Sequence, residues 1–159
     1  MQRLAFNFSK RNTEKMRIIL REANVEYSIE DAPKIVTPDD VWKACQEIAN
    51  SDTEVFSVLL LDVKGKLILS EIITSGILDQ SIIHPRETFR LAIKRNAASI
   101  ILVHNHPSGD VTPSLDDLTI TRQMIEAGKI LDIHVLDHVI ISYNTSCFSI
   151  REKGLLSFV

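Results

Sequence analysis

Apolar positions along this chain follow two patterns in turn, helical spacing and short continuous runs, and their order predicts a layered α/β fold. In residues 13 to 23, Met16, Ile19, Leu20 and Ala23 fall roughly on one helical face, with a strand through Met16 to Leu20 as the competing reading. Ala32-Pro33-Lys34 reads as a connector, and the domain proper is expected to begin near Ile35. Thr37-Pro38-Asp39-Asp40 then combines a helix cap, a proline at the first helical position and an acid three residues after the cap. Val41, Trp42, Cys45, Ile48 and Ala49 follow at helical spacing, so one helix is expected from about Pro38 to Asn50.

The run Glu54 to Leu61 is too continuous for an amphipathic helix and predicts a central strand. Asp62 to Gly65 is a turn, Lys66 to Ile73 its antiparallel partner, and Thr74 to Gln80 a loop. Pro85-Arg86-Glu87 opens a helix that ends near Asn96, and Ser99 to Val103 is a buried strand leading directly into His104. Leu115 to Ile130 reads as a helix with Leu118, Thr121, Ile125 and Gly128 along one side. Ile133 to Ser142 is a strand, Tyr143 to Thr145 a turn, Cys147 to Ile150 a returning strand, and Arg151 to Leu155 a last helical turn. That succession is a mixed sheet flanked by helices.

Composition adds limits. A chain of 159 residues, 45% hydrophobic and 25% charged, is an ordinary globular protein that buries one core without staples. No apolar run approaches the roughly 20 residues that span a bilayer, and MQRLAFNFSK lacks a secretory apolar region, so a cytoplasmic protein without membrane contact is expected. Cys45 and Cys147 read as reduced packing residues. The net charge of -3 is uneven. Arg3, Lys10, Arg11, Lys15, Arg17 and Arg21 stand against Glu14 alone, a local +5 that leaves -8 for the remainder. Such a basic arm suits DNA or an acidic partner, although a solvated helix face explains it as well.

The densest chemistry lies in HNHPSGDVTPSLDD, His104 to Asp117. Residues i and i+2 of an extended chain point to the same side, so His104 and His106 present two imidazoles to one point while Asn105 faces away. Pro107, Ser108 and Gly109 reverse the chain, and Ser114 starts the next helix, whose first turn can return Asp117 as a third ligand. Two histidines and a carboxylate leave a tetrahedral Zn²⁺ one open position, the pattern of a catalytic site. The plainer alternatives are a satisfied pair of strand-end histidines and a capping box at Ser114 and Asp117. Asp110 and Asp116 are competing carboxylates. Hydrolysis also needs a proton acceptor, for which the chain offers Glu54, Glu71 and Glu87; Glu54, at the mouth of the most buried strand, would be held most rigidly.

His104-x-His106, seven residues, then Ser114-x-x-Asp117 with an upstream glutamate resembles the JAMM (MPN+) metalloprotease motif. With HPRETFRLAIKRNAASIILV before it and LDIHVLDHVII after it, the text from about Ile35 to Leu156 resembles the RadC family specifically. The resemblance implies a cytidine-deaminase-like or JAB1/MPN-type three-layer α/β fold, with residues 1–34 an N-terminal basic arm and 35–159 the JAB/MPN domain. It also implies zinc on His104, His106 and Asp117, Glu54 as the catalytic glutamate, and Ser114 on the attacking water or developing oxyanion. The implied activity is that of a metallopeptidase or isopeptidase acting on a peptide or protein. A DNA-repair or mobile-element accessory protein is the alternative. Many RadC proteins carry a helix-hairpin-helix module whose turns require glycine; every glycine here lies at Gly65 or later, so a short member without that module is expected. The consecutive HNH tripeptide does not indicate an HNH nuclease, whose residues are dispersed. His134 and His138 read as structural, with Asp137 and His138 in a strand hydrogen bond or behind the ligands. A monomer and a homodimer both stay open.

Overall fold

The computed structural model describes residues 25–26, 32–76 and 83–158. The expected helix over 13–23, the basic arm over 1–21 and most of the loop over 74–80 lie outside or partly outside those residues. Six strands form one sheet in the order β1-β3-β2-β4-β5-β6: β1 Val25–Glu26, β2 Glu54–Leu61, β3 Leu67–Gly76, β4 Ser99–Asn105, β5 His134–Ile141 and β6 Cys147–Ser149. All pairings are antiparallel except β4 with β5, where the connection is the long helix α4, Leu115–Leu131. The mixed sheet flanked by helices is the architecture expected. The connector before Ile35 lies against the β2–β3 turn, with the Leu67 N–H donating to Pro33 O and the Ile35 N–H to Gly65 O.

Side-chain alternation explains the three layers. On β2, Phe56, Val58 and Leu60 point into one core with Ile100 and Leu102 of β4, under α4 and the helix α3, Pro85–Lys94. Val55, Leu59 and Leu61 point into the other with Ile101 and Val103, under α1, Pro38–Ala44, and α2, Gln46–Ala49. Because β2 and β4 are covered on both faces, they read as unbroken apolar runs. Each fully buried large side chain, such as Phe56 or Leu59, contributes roughly 1.5–3 kcal/mol.

Three details differ from the sequence expectation. The single helix over 38–50 is two, broken at Cys45, whose φ of -119° leaves the helical region. Its buried face continues through Val41, Cys45, Ile48 and Ala49, so the apolar period carries no mark of the break. Cys45 and Cys147 are both free, and burial pushes the Cys45 thiol up to about 12. β3 runs on to Gly76 because Thr74, Ser75 and Gly76 pair with Phe56, Val55 and Glu54; its outer end is polar because it is exposed, not because it is loop. On α4 the buried stripe is Asp117, Ile120, Thr121, Met124, Ile125 and Gly128. Gly128 is required there: a Cβ would sit 2.5 Å from Ile133 O, so the helix end meets the entry to β5 backbone against backbone. The chain ends in one hydrogen-bonded turn, with the Gly154 N–H on Arg151 O and the Leu155 N–H on Ile150 O.

Candidate metal centre

The site forms where β4 runs out of the sheet and α4 begins. β4 delivers His104 onto the face that α4 covers, directly opposite Phe56 of β2. His106 follows just past the strand end, its N–H donating to Ile141 O. The turn that reverses the chain is closed by the Gly109 N–H on His106 O, with Gly109 at a φ of +86° that a side chain would strain. Ser114 then caps α4. Its hydroxyl accepts from the Asp117 N–H at 3.1 Å, and Asp117 Oδ2 accepts from the Ser114 N–H and hydroxyl, both at 2.7 Å. That reciprocal box fixes the carboxylate beside the histidines.

Among the described residues, His104, His106 and Asp117 bring one ligand atom each within 4.8 Å of the others. The two Nε2 atoms are 2.9 Å apart, His104 Nε2 is 3.3 Å from Asp117 Oδ1, and His106 Nε2 is 3.8 Å from Asp117 Oδ2. His106 Nδ1 lies 2.5 Å from Asp110 O, and a carbonyl only accepts, so Nδ1 carries the proton and Nε2 turns a lone pair inward. A lone pair and a carboxylate converging at a nearly closed point are the chemistry of a cation site, and these residues fit a resident divalent ion. His104 is fully buried and Asp117 nearly so, while His106 keeps an opening to solvent.

Burial sets the protonation. It lowers His104 to about 4, against the opposing pull of Asp117, and drives His138 well below the usual histidine range. Both are neutral at pH 7, and for His104 that is the form that can hold an ion. The sign follows. A base held below its ordinary 6.5 contributes no penalty above that value and costs stability as pH falls toward about 4. Metal-free protein is therefore expected to lose stability from about pH 6.5 to 4, with a slope of up to about 1.4 kcal/mol per pH unit for each histidine. Asp137 and Glu71, raised by burial, titrate in the opposite sense and soften the net slope. Thermal melts of the apo protein at pH 7.5, 6 and 5 check this; an unchanged midpoint would refute it.

Glu54, half-buried at the start of β2, lines the same cavity of about 390 Å³ as His106, Ser114, Asp117 and Ile120. The other two glutamates are committed elsewhere. Glu87 pairs with Arg86 and Arg90, and Glu71 lies on β3 facing the basic end of α3, with Arg95, Arg90 and Lys94 acting on its carboxyl. Asp110 and Asp116 line the cavity mouth without joining the three ligand atoms.

Two supports hold the site: Asn105 and Thr121 escaped the sequence reading, whereas His138 takes the place behind the ligands that was one of its two expectations. Asn105, which does face away from the histidines, is completely buried and holds the entry to β2. Its Oδ1 accepts from the Val55 N–H at 2.7 Å, and its Nδ2 donates to Ser51 O and Thr53 O. Behind His104, Nδ1 meets His138 Nε2 at 2.8 Å, and His138 Nδ1 meets Thr121 Oγ1 at 2.5 Å. Phe56 walls this group, stacked on His104 with centroids 6.4 Å apart and edge-on to His138 at 5.7 Å. The i, i+4 spacing of Asp117 and Thr121 on one helix face was the available signal for the second support. Asp137, by contrast, accepts from the His138 and Arg151 N–H groups and the Ser149 hydroxyl, on the side away from the ligands.

Residues 35–155 match the family described as the RadC-like JAB domain. A UPF0758 protein of Syntrophomonas wolfei is 53% identical over 127 residues, covering 77% of this chain and 54% of the relative. Another, from Caldanaerobacter subterraneus, is 50% identical over 125 residues, covering 78% and 53%. A third, from Thermotoga maritima, is 47% identical over 116 residues, covering 73% and 52%. The chain thus spans about half the length of the curated relatives it matches. No helix among the described residues is long and apolar enough to cross a membrane.

Proposed function

The chain belongs to the RadC-like JAB domain family, and from that premise we propose that it is a zinc-dependent hydrolase of the JAMM type, cutting a peptide or isopeptide bond in a polypeptide substrate. One observation carries the reading: two imidazoles and a carboxylate turn their ligand atoms to a single point at the wall of an open cavity. When bound there, the ion supplies Lewis acidity, polarising the scissile carbonyl and lowering the pKa of water toward roughly 7.

The chain's own residues supply the rest. Glu54, on the same cavity wall, takes a proton from the attacking water onto a carboxylate oxygen and returns it to the leaving nitrogen. The rigid end of β2 limits its freedom, which keeps the acceptor oxygen aimed at the cavity. Ser114 orients Asp117 in the resting site, because its hydroxyl proton is committed to Oδ2. To support a developing oxyanion that hydroxyl must turn away, and the Ser114 N–H on the same oxygen keeps the carboxylate in place while it does. The buried rings of His104 and Phe56 exclude water from the back of the site.

Purified protein is expected to hold about one zinc per chain, and His106→Ala, which deletes a ligand without opening the core, to lose it. Elemental analysis after dialysis gives the answer. Full zinc content in His106→Ala would remove the assignment.

A further inference from the structure

The hydrogen bonds behind His104 form a directed chain whose polarity is set at its other end, at the Asp117 backbone carbonyl. Thr121 Oγ1 lies 2.5 Å from Asp117 O and 2.5 Å from His138 Nδ1. A hydroxyl has one proton, and contacts this short need a proton in each. If the hydroxyl donated to His138 Nδ1, two oxygens would face each other at 2.5 Å with nothing between them. The hydroxyl therefore donates to Asp117 O, and His138 Nδ1–H donates to Thr121 Oγ1. A neutral imidazole has one N–H, so His138 Nε2 is an acceptor. His104 Nδ1, 2.8 Å away, must then carry the proton, which leaves His104 Nε2 a bare lone pair. That lone pair points at His106 Nε2, 2.9 Å off, which is also a lone pair because Asp110 O fixes its ring. Two lone pairs at that distance repel unless a cation lies against both.

We propose that Thr121 and His138 are positioning residues of the metal centre: the chain Asp117 O, Thr121, His138, His104 holds His104 in the tautomer that presents Nε2 to an ion. This rests on the metal-site reading above. Reversing the chain would place a proton on His104 Nε2, in the ligand position, and Asp117 Oδ1 at 3.3 Å would accept it. Thr121 is the only member that decides the direction, because its second partner is a carbonyl, which cannot donate. Thr121 and His138 lie on different elements, α4 and β5, so their meeting is a property of the assembled fold. Thr121 donates to the backbone carbonyl of Asp117, one turn back on α4, and leaves the Asp117 carboxylate to Ser114.

Thr121→Val keeps the shape, removes the hydroxyl and leaves His138 free to adopt either tautomer. Zn²⁺ affinity, measured by competition with a chromophoric chelator, is expected to fall about 10- to 100-fold in Thr121→Val, and Thr121→Ser to restore it. In a His138→Phe background, where the chain is already cut, Thr121→Val is expected to add nothing. Thermal melts of each apo variant separate a lost fold from a lost ligand geometry. Imidazole ¹⁵N spectra of the apo wild type are expected to show His104 and His138 both protonated on Nδ1. An affinity within about twofold of wild type in Thr121→Val, a further loss in the His138→Phe background, or a His104 proton on Nε2 would each overturn the proposal. Wild-type protein that binds no zinc would instead overturn the metal reading, and the imidazole spectrum would still decide the chain's direction.

Discussion

Glu54→Gln is expected to bind zinc at wild-type stoichiometry and to lose about 10²- to 10⁴-fold in kcat on any peptide the wild type cleaves. The amide has nearly the volume and hydrogen-bonding reach of the carboxylate, so β2 and the cavity keep their shape. What disappears is the ability to hold a proton between attack and departure. Glu54 is not among the three converging ligand atoms, so the metal content has no reason to change. Elemental analysis paired with a single-turnover assay makes the separation visible. Equal turnover would dismiss Glu54 as the proton carrier. Neither Glu71 nor Glu87 is placed to replace it, since the first faces the basic end of α3 and the second is paired with Arg86 and Arg90.

The largest loss of stability is expected at Asn105. Asn105→Ala removes a fully buried side chain whose amide makes three hydrogen bonds; it strands the buried Val55 N–H and takes a donor from Ser51 O and from Thr53 O, the latter still accepting from the Ser51 hydroxyl. Each stranded group costs about 1–3 kcal/mol unless water reaches it, and a small cavity adds to that, so a total of about 2–5 kcal/mol is expected. For a chain of this size the midpoint of thermal unfolding should fall by roughly 2–4 °C for every kcal/mol. The same change releases the entry of β2, so turnover should decline even in molecules that stay folded and keep zinc. Urea denaturation of the apo and zinc-loaded variants measures the first effect. A cost below about 1 kcal/mol would show that the clamp contributes little.

Much of this was open to inspection in the sequence because it obeys short-range rules. His104 and His106 share a side by strand alternation, and Ser114 and Asp117 share a helix start by a capping pattern. The two buried strands were readable because a sheet covered on both faces needs unbroken apolar runs. The break at Cys45 was not, since a change of backbone angle that preserves the buried face leaves the pattern untouched. The extension of β3 was hidden for a related reason: Thr74, Ser75 and Gly76 are held by pairing with β2, which no local propensity reports. Asn105 looked idle because alternation says only where it does not point; its partners lie at the far side of another element. The direction of the bonds joining Thr121, His138 and His104 depends on which atoms can donate, and spacing along a chain is silent about that.

The register of β2 against β4 sets Phe56 opposite His104, and Glu54, two residues before Phe56, shares that side. A slip of one residue would turn Glu54 to the other face and, in the same movement, exchange the contents of both cores. Val55, Leu59 and Leu61 would have to trade places with Phe56, Val58 and Leu60. The interior thus acts as a proofreader for the chemistry. A chain that folds with its glutamate misaligned cannot also be well packed, so such a molecule is removed by its own instability rather than persisting as an intact but silent protein.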